Sequence, residues 1–336
     1  MDFREFAKKE YIKPRHRILE FGPLIRPAVT RKTHPHVYYA DIRSTEDIKK
    51  LYTSNDYLES TGLTVDTNQV VNIDYVVNDS YKNTFKNVEK FDVVVLSHVI
   101  EHMPDIIGFF QDIKHVLKRS GQLIIIYPDA RYCFDHFRNG TSFIDAYDVY
   151  RNKDTSSKRV FDFVYDVVHE NRANYFWKDP SQNSIMPTNS FEAAEKAAEK
   201  AKRGELPDDT HFWPFSNYQL IKFLYDMDRA GLLEFDIVEF YPTPENHQEC
   251  MLVLEMKKRP GIKHDIYRKI FDEISPAIAS IVDARRIAEL EDKLTALKQE
   301  HRLAKDELDA IKGSKKWKYA QKAGEAKNRL LGRKHE

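Results

Sequence analysis

The chain has 336 residues, 41% of them hydrophobic, enough to bury a full core; disorder throughout is excluded and one catalytic-sized domain with appendages is expected. Lys plus Arg (53) equals Asp plus Glu (53), so no global field draws the chain to nucleic acid, and no nucleic-acid partner is expected. The only two cysteines, Cys133 and Cys250, offer neither a disulfide framework nor a CxxC metal site, and no metal ligands are assigned.

The opening MDFREFAKKEYIKPRHR lacks the apolar centre of a signal peptide. No apolar run approaches the roughly 20 residues of a membrane span, so a cytoplasmic location is expected. From residue 17 onward, short β-branched runs alternate with helical patterns: RILEFGP (17–23), VYYADI (37–42), VVNIDYV (70–76), FDVVVLS (91–97) and QLIIIYP (122–128). That alternation predicts a parallel α/β sheet. Between the fourth and fifth runs, Ile106, Phe109, Phe110, Ile113, Val116 and Leu117 recur at helical spacing. Pro104-Asp105 suits the start of this crossover helix, and Lys118, Arg119 and Gly121 suit its end.

After Tyr127-Pro128 the alternation stops for about 85 residues, and residues 130–215 read as an insertion over the cleft, with the Ala/Glu/Lys-rich helix FEAAEKAAEKAKRGE (191–205) inside it. Strand patterns return as LEFDIVEFYPT (233–243) and QECMLVLEMKK (248–258), a closing antiparallel hairpin. The catalytic domain is therefore expected over 1–258. Residues 259–312 follow as a helical region, in which Ile287, Leu290, Leu294, Leu297, His301, Ala304, Leu308 and Ile311 form a heptad seam of about three to four repeats. Simple packing of this helix against the catalytic domain is one reading, but its charged flanks favour a short coiled coil and a homodimer. The tail 313–336 is basic: from Lys312 onward nine Lys or Arg oppose two Glu, with Trp317, Tyr319, Leu330 and Leu331 among them. Peripheral docking on an anionic membrane surface, at the inner face of the cell membrane, is one expectation for it; a soluble disordered tail is the other.

In a doubly wound sheet the ligand sits outside the carboxyl ends of the strands, which directs attention to the residues just after each run. Gly22, in Glu20-Phe21-Gly22-Pro23-Leu24-Ile25-Arg26-Pro27, can take the conformation of a tight turn and lets a ligand approach closely. A dinucleotide loop would need further glycines to cradle a pyrophosphate, and this loop has Leu24, Ile25 and Arg26 instead. A nucleoside without phosphates fits better. Asp41 stands 19 residues after Gly22, placed to accept hydrogen bonds from both ribose hydroxyls; the plainer reading is a cap for the following helix.

The block FDVVVLSHVIEHMPD (91–105) with HVLKRSGQLIIIYPDARYCFD (115–135) resembles the class I S-adenosylmethionine-dependent methyltransferases, whose fourth strand, Glu-His loop, crossover helix, Gly-turn and fifth strand run in this order. The resemblance covers roughly residues 15–135. More loosely, THFWPFSNYQLIKFLYDM and the closing hairpin resemble methyltransferases often encoded beside bacterial surface-polysaccharide genes. It implies an α/β, Rossmann-like class I methyltransferase fold: a mostly parallel seven-stranded sheet with a closing antiparallel hairpin, an inserted substrate region and a C-terminal coiled-coil helix. It also implies S-adenosylmethionine as cofactor, with Glu20 and Gly22 at the methionine end, Asp41 at the ribose, Asp74 and Tyr75 on the adenine side, and Ser97-His98 on the cleft floor. Leu24 and Arg26 depart from the pattern, which has glycines there.

A hydroxyl acceptor needs alignment and removal of its proton, so a base near the methyl is required. The candidate histidines are His98, His102, His136, His169 and His211. His102, by motif position, and His211, beside acidic and aromatic neighbours in Asp209-Thr210-His211-Phe212-Trp213, are the preferred pair. Asp129, Arg131, Tyr132, His136 and Trp213 are candidate substrate contacts; a turn with surface charge is the alternative for the first three. The expectation is methyl transfer to an oxygen of a sugar or glycan acceptor. Two other readings are a catalytically inactive coiled-coil scaffold for glycan enzymes, and a nicotinamide-dependent oxidoreductase, which would need a phosphate-binding glycine loop and a Tyr-x-x-x-Lys site.

Overall fold

The computed structural model describes residues 1–54, 65–78, 80–153, 157–168, 176–177, 186–207 and 209–274, and beyond them 302, 305, 310, 312, 313 and 315–330. It divides into a compact unit, Met1–Ile274, and a second unit, Ser275–Glu336. All eight apolar or histidine positions of the heptad seam lie outside the described residues, as does His169.

The first unit is built on a seven-stranded sheet: β1 Ile18–Phe21, β2 Val37–Asp41, β3 Tyr75–Val76, β4 Phe91–Ser97, β5 Leu117–Pro128, β6 Phe235–Tyr241 and β7 Glu249–Met256. The spatial order is β3-β2-β1-β4-β5-β7-β6. The first five strands are parallel neighbours, while β7 runs antiparallel between β5 and β6. The expected closing hairpin is therefore present. The central run FDVVVLS is apolar on consecutive positions because both faces are covered: Val94 and Leu96 belong to the core on one side, Val93 and Val95 to that on the other.

Two boundaries differ from the sequence expectation. The crossover helix ends early, at Ile106–Ile113, and Leu117 already pairs with Phe91 across an irregular stretch before regular pairing begins at Gln122. Val116 and Leu117 are buried all the same, which is why apolar spacing alone carried the helix too far. Of the run 70–76 only Tyr75–Val76 is a strand, an edge piece.

The inserted region contributes helices Phe143–Asn152, Ser157–Asp166 and Phe191–Lys202. A capped helix, Asn217–Arg229, carries Ser216 and Gln219 as a reciprocal capping box and buries Leu220, Ile221, Phe223, Leu224 and Met227. The unit extends past the hairpin to Ile274 because Tyr267 and Ile270, on His264–Ile274, are buried in the same core. In the second unit Lys315–Leu330 is helical, with Tyr319 exposed. Among the described residues no helix is long and apolar enough to cross a membrane.

Candidate active site

A pocket of about 500 Å³ opens at the carboxyl ends of β1, β2 and β4. Glu20, Gly22, Leu24, Asp41, Ser97, His98 and His102 line it, joined by Leu206, Pro207, Thr210 and Phe212 from the end of the insertion. Only that last stretch of the described insertion reaches the pocket.

The loop after β1 explains itself residue by residue. Gly22 has φ +59°, and a Cβ there would stand 3.4 Å from Val99 Cγ2, an ordinary contact. Backbone conformation, rather than space, calls for glycine. Leu24 also takes a left-handed φ of 44°, while its carbonyl accepts the Val71 amide at 3.0 Å. The turn that the family pattern builds with a second glycine is thus kept by leucine, against a cost of about 1–2 kcal/mol. Glu20 accepts the amides of Ala28 (2.7 Å) and Val29 (3.1 Å), one on each carboxylate oxygen. It braces the returning loop, and burial pushes its carboxyl up to about 7 against the pull of those amides.

Asp41 closes β2 with Oδ1 taking the Arg43 amide at 3.0 Å. The following helix, Thr45–Thr53, is capped by Ser44, so the capping role does not fall to Asp41. Burial raises its carboxyl above the usual range. Ser97 Oγ is buried without a hydrogen-bond partner. His98, at φ +55°, pairs through Nε2 with Glu249 Oε1 at 2.7 Å.

Asp74 and Tyr75 do not line this pocket. Asp74 Oδ2 accepts from Arg31 Nη2 (2.5 Å) and the Tyr39 amide (2.8 Å), which secures the strand edge. Tyr75 packs into an aromatic group with Tyr38, Phe85 and Phe91. Because β3 is so short, the residues at its end serve the sheet.

The two preferred histidines do meet. The segment 210–213 docks on the loop after β4: the Phe212 amide donates to the Glu101 carbonyl at 2.7 Å and Trp213 Nε1 to the Met103 carbonyl at 2.5 Å. The His102 and His211 rings then stand edge to face, 4.7 Å between centroids. His211 Nδ1 bonds Asp135 Oδ2 at 2.6 Å, and Asp135 is held in turn by Arg138 at 2.7 Å. Burial works to raise the Asp135 carboxyl, but the hydrogen bond from His211 and the Arg138 guanidinium hold it well below the usual range. Burial and the neighbouring His211 push His102 down to about 3, so it is neutral at working pH. Glu101, the residue before it, is fully buried with both oxygens unpartnered, and burial pushes it up to about 7.

The substrate candidates sit elsewhere. Asp129 is buried, accepting from Thr243 Oγ1 (2.8 Å) and from Arg131 Nε and Nη2 (3.0 and 2.6 Å), so both residues knit the turn after β5. Tyr132 stacks on Trp177 with centroids 4.0 Å apart, and His136 stacks on Phe176 and takes the Arg131 carbonyl at 2.6 Å. Trp213 is wholly buried in the core. None of these five lines the pocket.

Asp135 and Glu249 were missed by sequence reasoning. Asp135 lies 76 residues from His211 and Glu249 lies 151 residues from His98, so no local spacing signals either pair. Glu101 carried a signal: a carboxylate between Ile100 and His102 in an apolar loop.

The pocket fits an adenosyl ligand: the orphaned Ser97 hydroxyl and the Asp41 carboxylate offer hydrogen bonds beside the positive-φ turn at Gly22, with no phosphate-binding glycine array. Residues 2–226 match a family of proteins described as "Methyltransferase domain". A curated relative, the ubiquinone biosynthesis O-methyltransferase of Actinobacillus pleuropneumoniae serotype 7 (strain AP76), is 37% identical over 67 residues, 20% of this chain and 27% of that protein. The chain thus spans about a quarter of the length of the curated relatives it matches. Similar solved structures include an S-adenosylmethionine-dependent methyltransferase from Clostridium acetobutylicum ATCC 824, with 9% identity, 75% of this chain, 90% of that one and a TM-score of 0.37. Another is the Burkholderia thailandensis 1,6-didemethyltoxoflavin-N1-methyltransferase with bound 1,6-didemethyltoxoflavin and S-adenosylhomocysteine, with 11% identity, 76% of each chain and a TM-score of 0.34. Matched over two thirds of its length, the chain belongs to this methyltransferase-domain family, with S-adenosylmethionine as its cofactor.

Proposed function

We propose that the chain methylates a hydroxyl oxygen of a sugar or glycan intermediate in surface-polysaccharide assembly. The observation that carries the reading is one continuous pocket reaching from Gly22 and Asp41 to His102 and Thr210, so an adenosyl ligand and an acceptor oxygen beside His102 share a cavity; His211 does not line it but is buried against the His102 ring. When bound, the cofactor supplies an electrophilic methyl carbon on a sulfonium whose leaving group is a neutral thioether. The chain's own task is to align the acceptor and take its proton. The bond to Asp135 fixes the His211 tautomer with Nδ1 protonated, which leaves Nε2 to receive that proton, the imidazolium being stabilised by Asp135. His102 Nδ1 donates to the Thr210 carbonyl at 3.1 Å, so its Nε2 accepts a hydrogen bond from a second hydroxyl, as a vicinal sugar diol provides.

Oxygen as the accepting atom is supported by the O-methyltransferase name of the curated relatives, over their matched quarter; the sugar acceptor is supported by family resemblance. Neither the inactive scaffold nor the nicotinamide-dependent reading is favoured by the family match. The basic helix Lys315–Leu330 would hold the protein at an anionic surface, and the seam around Leu290–Leu308 would pair two chains. Titration calorimetry with S-adenosylmethionine, S-adenosylhomocysteine and NAD tests the core of the proposal. Both adenosyl ligands should bind and NAD should not; silence from both adenosyl ligands sinks it. Turnover on catechols but on no sugar nucleotide or oligosaccharide would move the acceptor to a phenol.

A further inference from the structure

The turn that joins β4 to its crossover helix holds an anomaly that methyl transfer by a histidine base does not use. Glu101 is fully buried, and neither of its carboxylate oxygens has a hydrogen-bond partner. Its nearest basic nitrogens, His98 Nδ1 at 3.6 Å and His102 Nε2 at 4.0 Å, stand too far to satisfy it. A bare carboxylate in such a place calls for a charged partner.

Two imidazoles stand beside it, and both are already oriented. The Thr210 carbonyl can only accept, so His102 Nδ1 carries the proton and Nε2 presents a lone pair. The ionised Asp135 carboxylate does the same for His211, and Arg138 fixes that carboxylate from behind. One donor atom each from Glu101, His102 and His211 lies within 4.8 Å of the other two. Rings fixed through one nitrogen by a carbonyl or carboxylate, which leaves the other nitrogen to bind, are the arrangement that outer-shell groups impose on metal-binding histidines.

We infer that Glu101, His102 and His211 form a three-ligand site for a divalent transition-metal ion of the zinc class. Two neutral imidazoles and a carboxylate suit such an ion and disfavour Mg²⁺ or Ca²⁺, which take mostly oxygen ligands. Metal–ligand bonds of about 2.0–2.1 Å set tetrahedral ligand atoms about 3.3 Å apart, so the three close by less than about 2 Å on binding. Of the three ligands His102 lines the pocket, while Glu101 and His211 are buried and do not, so a position left open on the ion would be reached from the His102 side. The consequence for catalysis rests on the methyltransferase reading above; the binding of the ion does not. With His102 and His211 holding the ion, neither would serve as the base: an acceptor hydroxyl bound at the open position would have its pKa lowered by the cation and would lose its proton to solvent water. The oxygen then forms its bond to the methyl carbon as the carbon–sulfur bond breaks and the neutral thioether departs.

The full chain, purified without a histidine tag and stripped with chelator, is titrated with Co²⁺ followed spectroscopically and with Zn²⁺ by calorimetry. One equivalent of Co²⁺ should bind with visible ligand-field absorption and be displaced by Zn²⁺. Glu101→Gln and His211→Ala should lose that uptake, and Asp135→Asn, which spares all three ligands, should weaken it about 10- to 100-fold. Failure of the stripped wild-type chain to take up either ion overturns the inference, without relying on any variant to fold. Uptake unchanged in Glu101→Gln and His211→Ala overturns it equally. S-adenosylhomocysteine binding, read in the same samples, decides the methyltransferase reading separately.

Discussion

Replacing Asp41 with Ala is the sharpest perturbation of the cofactor cleft. Two ribose hydroxyls donating to a partly shielded carboxylate contribute about 1.5–3 kcal/mol each. Two features of the site reduce the sum: Oδ1 already holds the Arg43 amide, and burial already opposes the charge. A net loss of about 2–4 kcal/mol follows, or about 30- to 1,000-fold in Kd for S-adenosylhomocysteine by calorimetry. Asp41→Asn keeps one acceptor oxygen and should fall between the two. Because Ser44 and not Asp41 caps the next helix, the Ala variant should keep its melting temperature within a few degrees, which separates lost binding from lost fold. The ribose bonds favour the ionised carboxylate, so affinity should also weaken as pH falls through the raised pKa of Asp41. A Kd for Asp41→Ala within threefold of wild type would refute the ribose assignment.

Other positions give independent checks. Glu20 is buried with its carboxyl raised from 4.5 to about 7, so the folded state holds its proton longer than the unfolded one, and its contribution to stability is lost as pH rises from about 4.5 to 7. That window corresponds to about 3 kcal/mol; denaturant melts of Glu20→Gln should show a flatter profile across it, and an unaltered slope would assign the dependence to other groups. Leu24→Gly relieves the left-handed strain and should leave stability level or raise it by up to about 1 kcal/mol, while β-branched Leu24→Val should cost about 1–2 kcal/mol. Trp213→Ala should destabilise by about 3–5 kcal/mol because the ring is core; a folded variant whose only defect is a raised acceptor KM would return Trp213 to the substrate.

The sheet was legible because its strands are period-two or wholly apolar runs, and because burial on both faces leaves a continuous mark in FDVVVLS. Helix ends were less so. Val116 and Leu117 are buried whether they belong to a helix or to the strand that follows, and apolar spacing cannot tell the two apart. The residues just past the strands can be read by position alone, and of these Asp41, Ser97 and His98 line the pocket while Asp74, Tyr75 and Asp129 do not. The three that stand away from it share a feature: each has an amide, guanidinium, hydroxyl or aromatic neighbour from a distant segment that ties it into the structure.

The histidine pair shows the complementary limit. His102 could be chosen from its place after β4, and His211 from its composition, yet nothing in the chain between them states that they touch. What joins them is backbone hydrogen bonding of 210–213 onto residues 101–103, with Trp213 wholly buried as the anchor. The energy that assembles the site is therefore apolar burial a residue or two from the chemistry, which explains why an aromatic that looks like a sugar platform in sequence is a core residue in the fold. The same logic applies to the glycine-poor loop. Glu20 ties the amides of Ala28 and Val29 and the Leu24 carbonyl takes Val71, so bonds at both ends of the turn hold Leu24 at a φ that glycine would adopt freely. A substitution that departs from the family pattern thus leaves the backbone path in place, and whether the pattern's function persists turns on the Leu24 side chain at the pocket wall rather than on the turn itself.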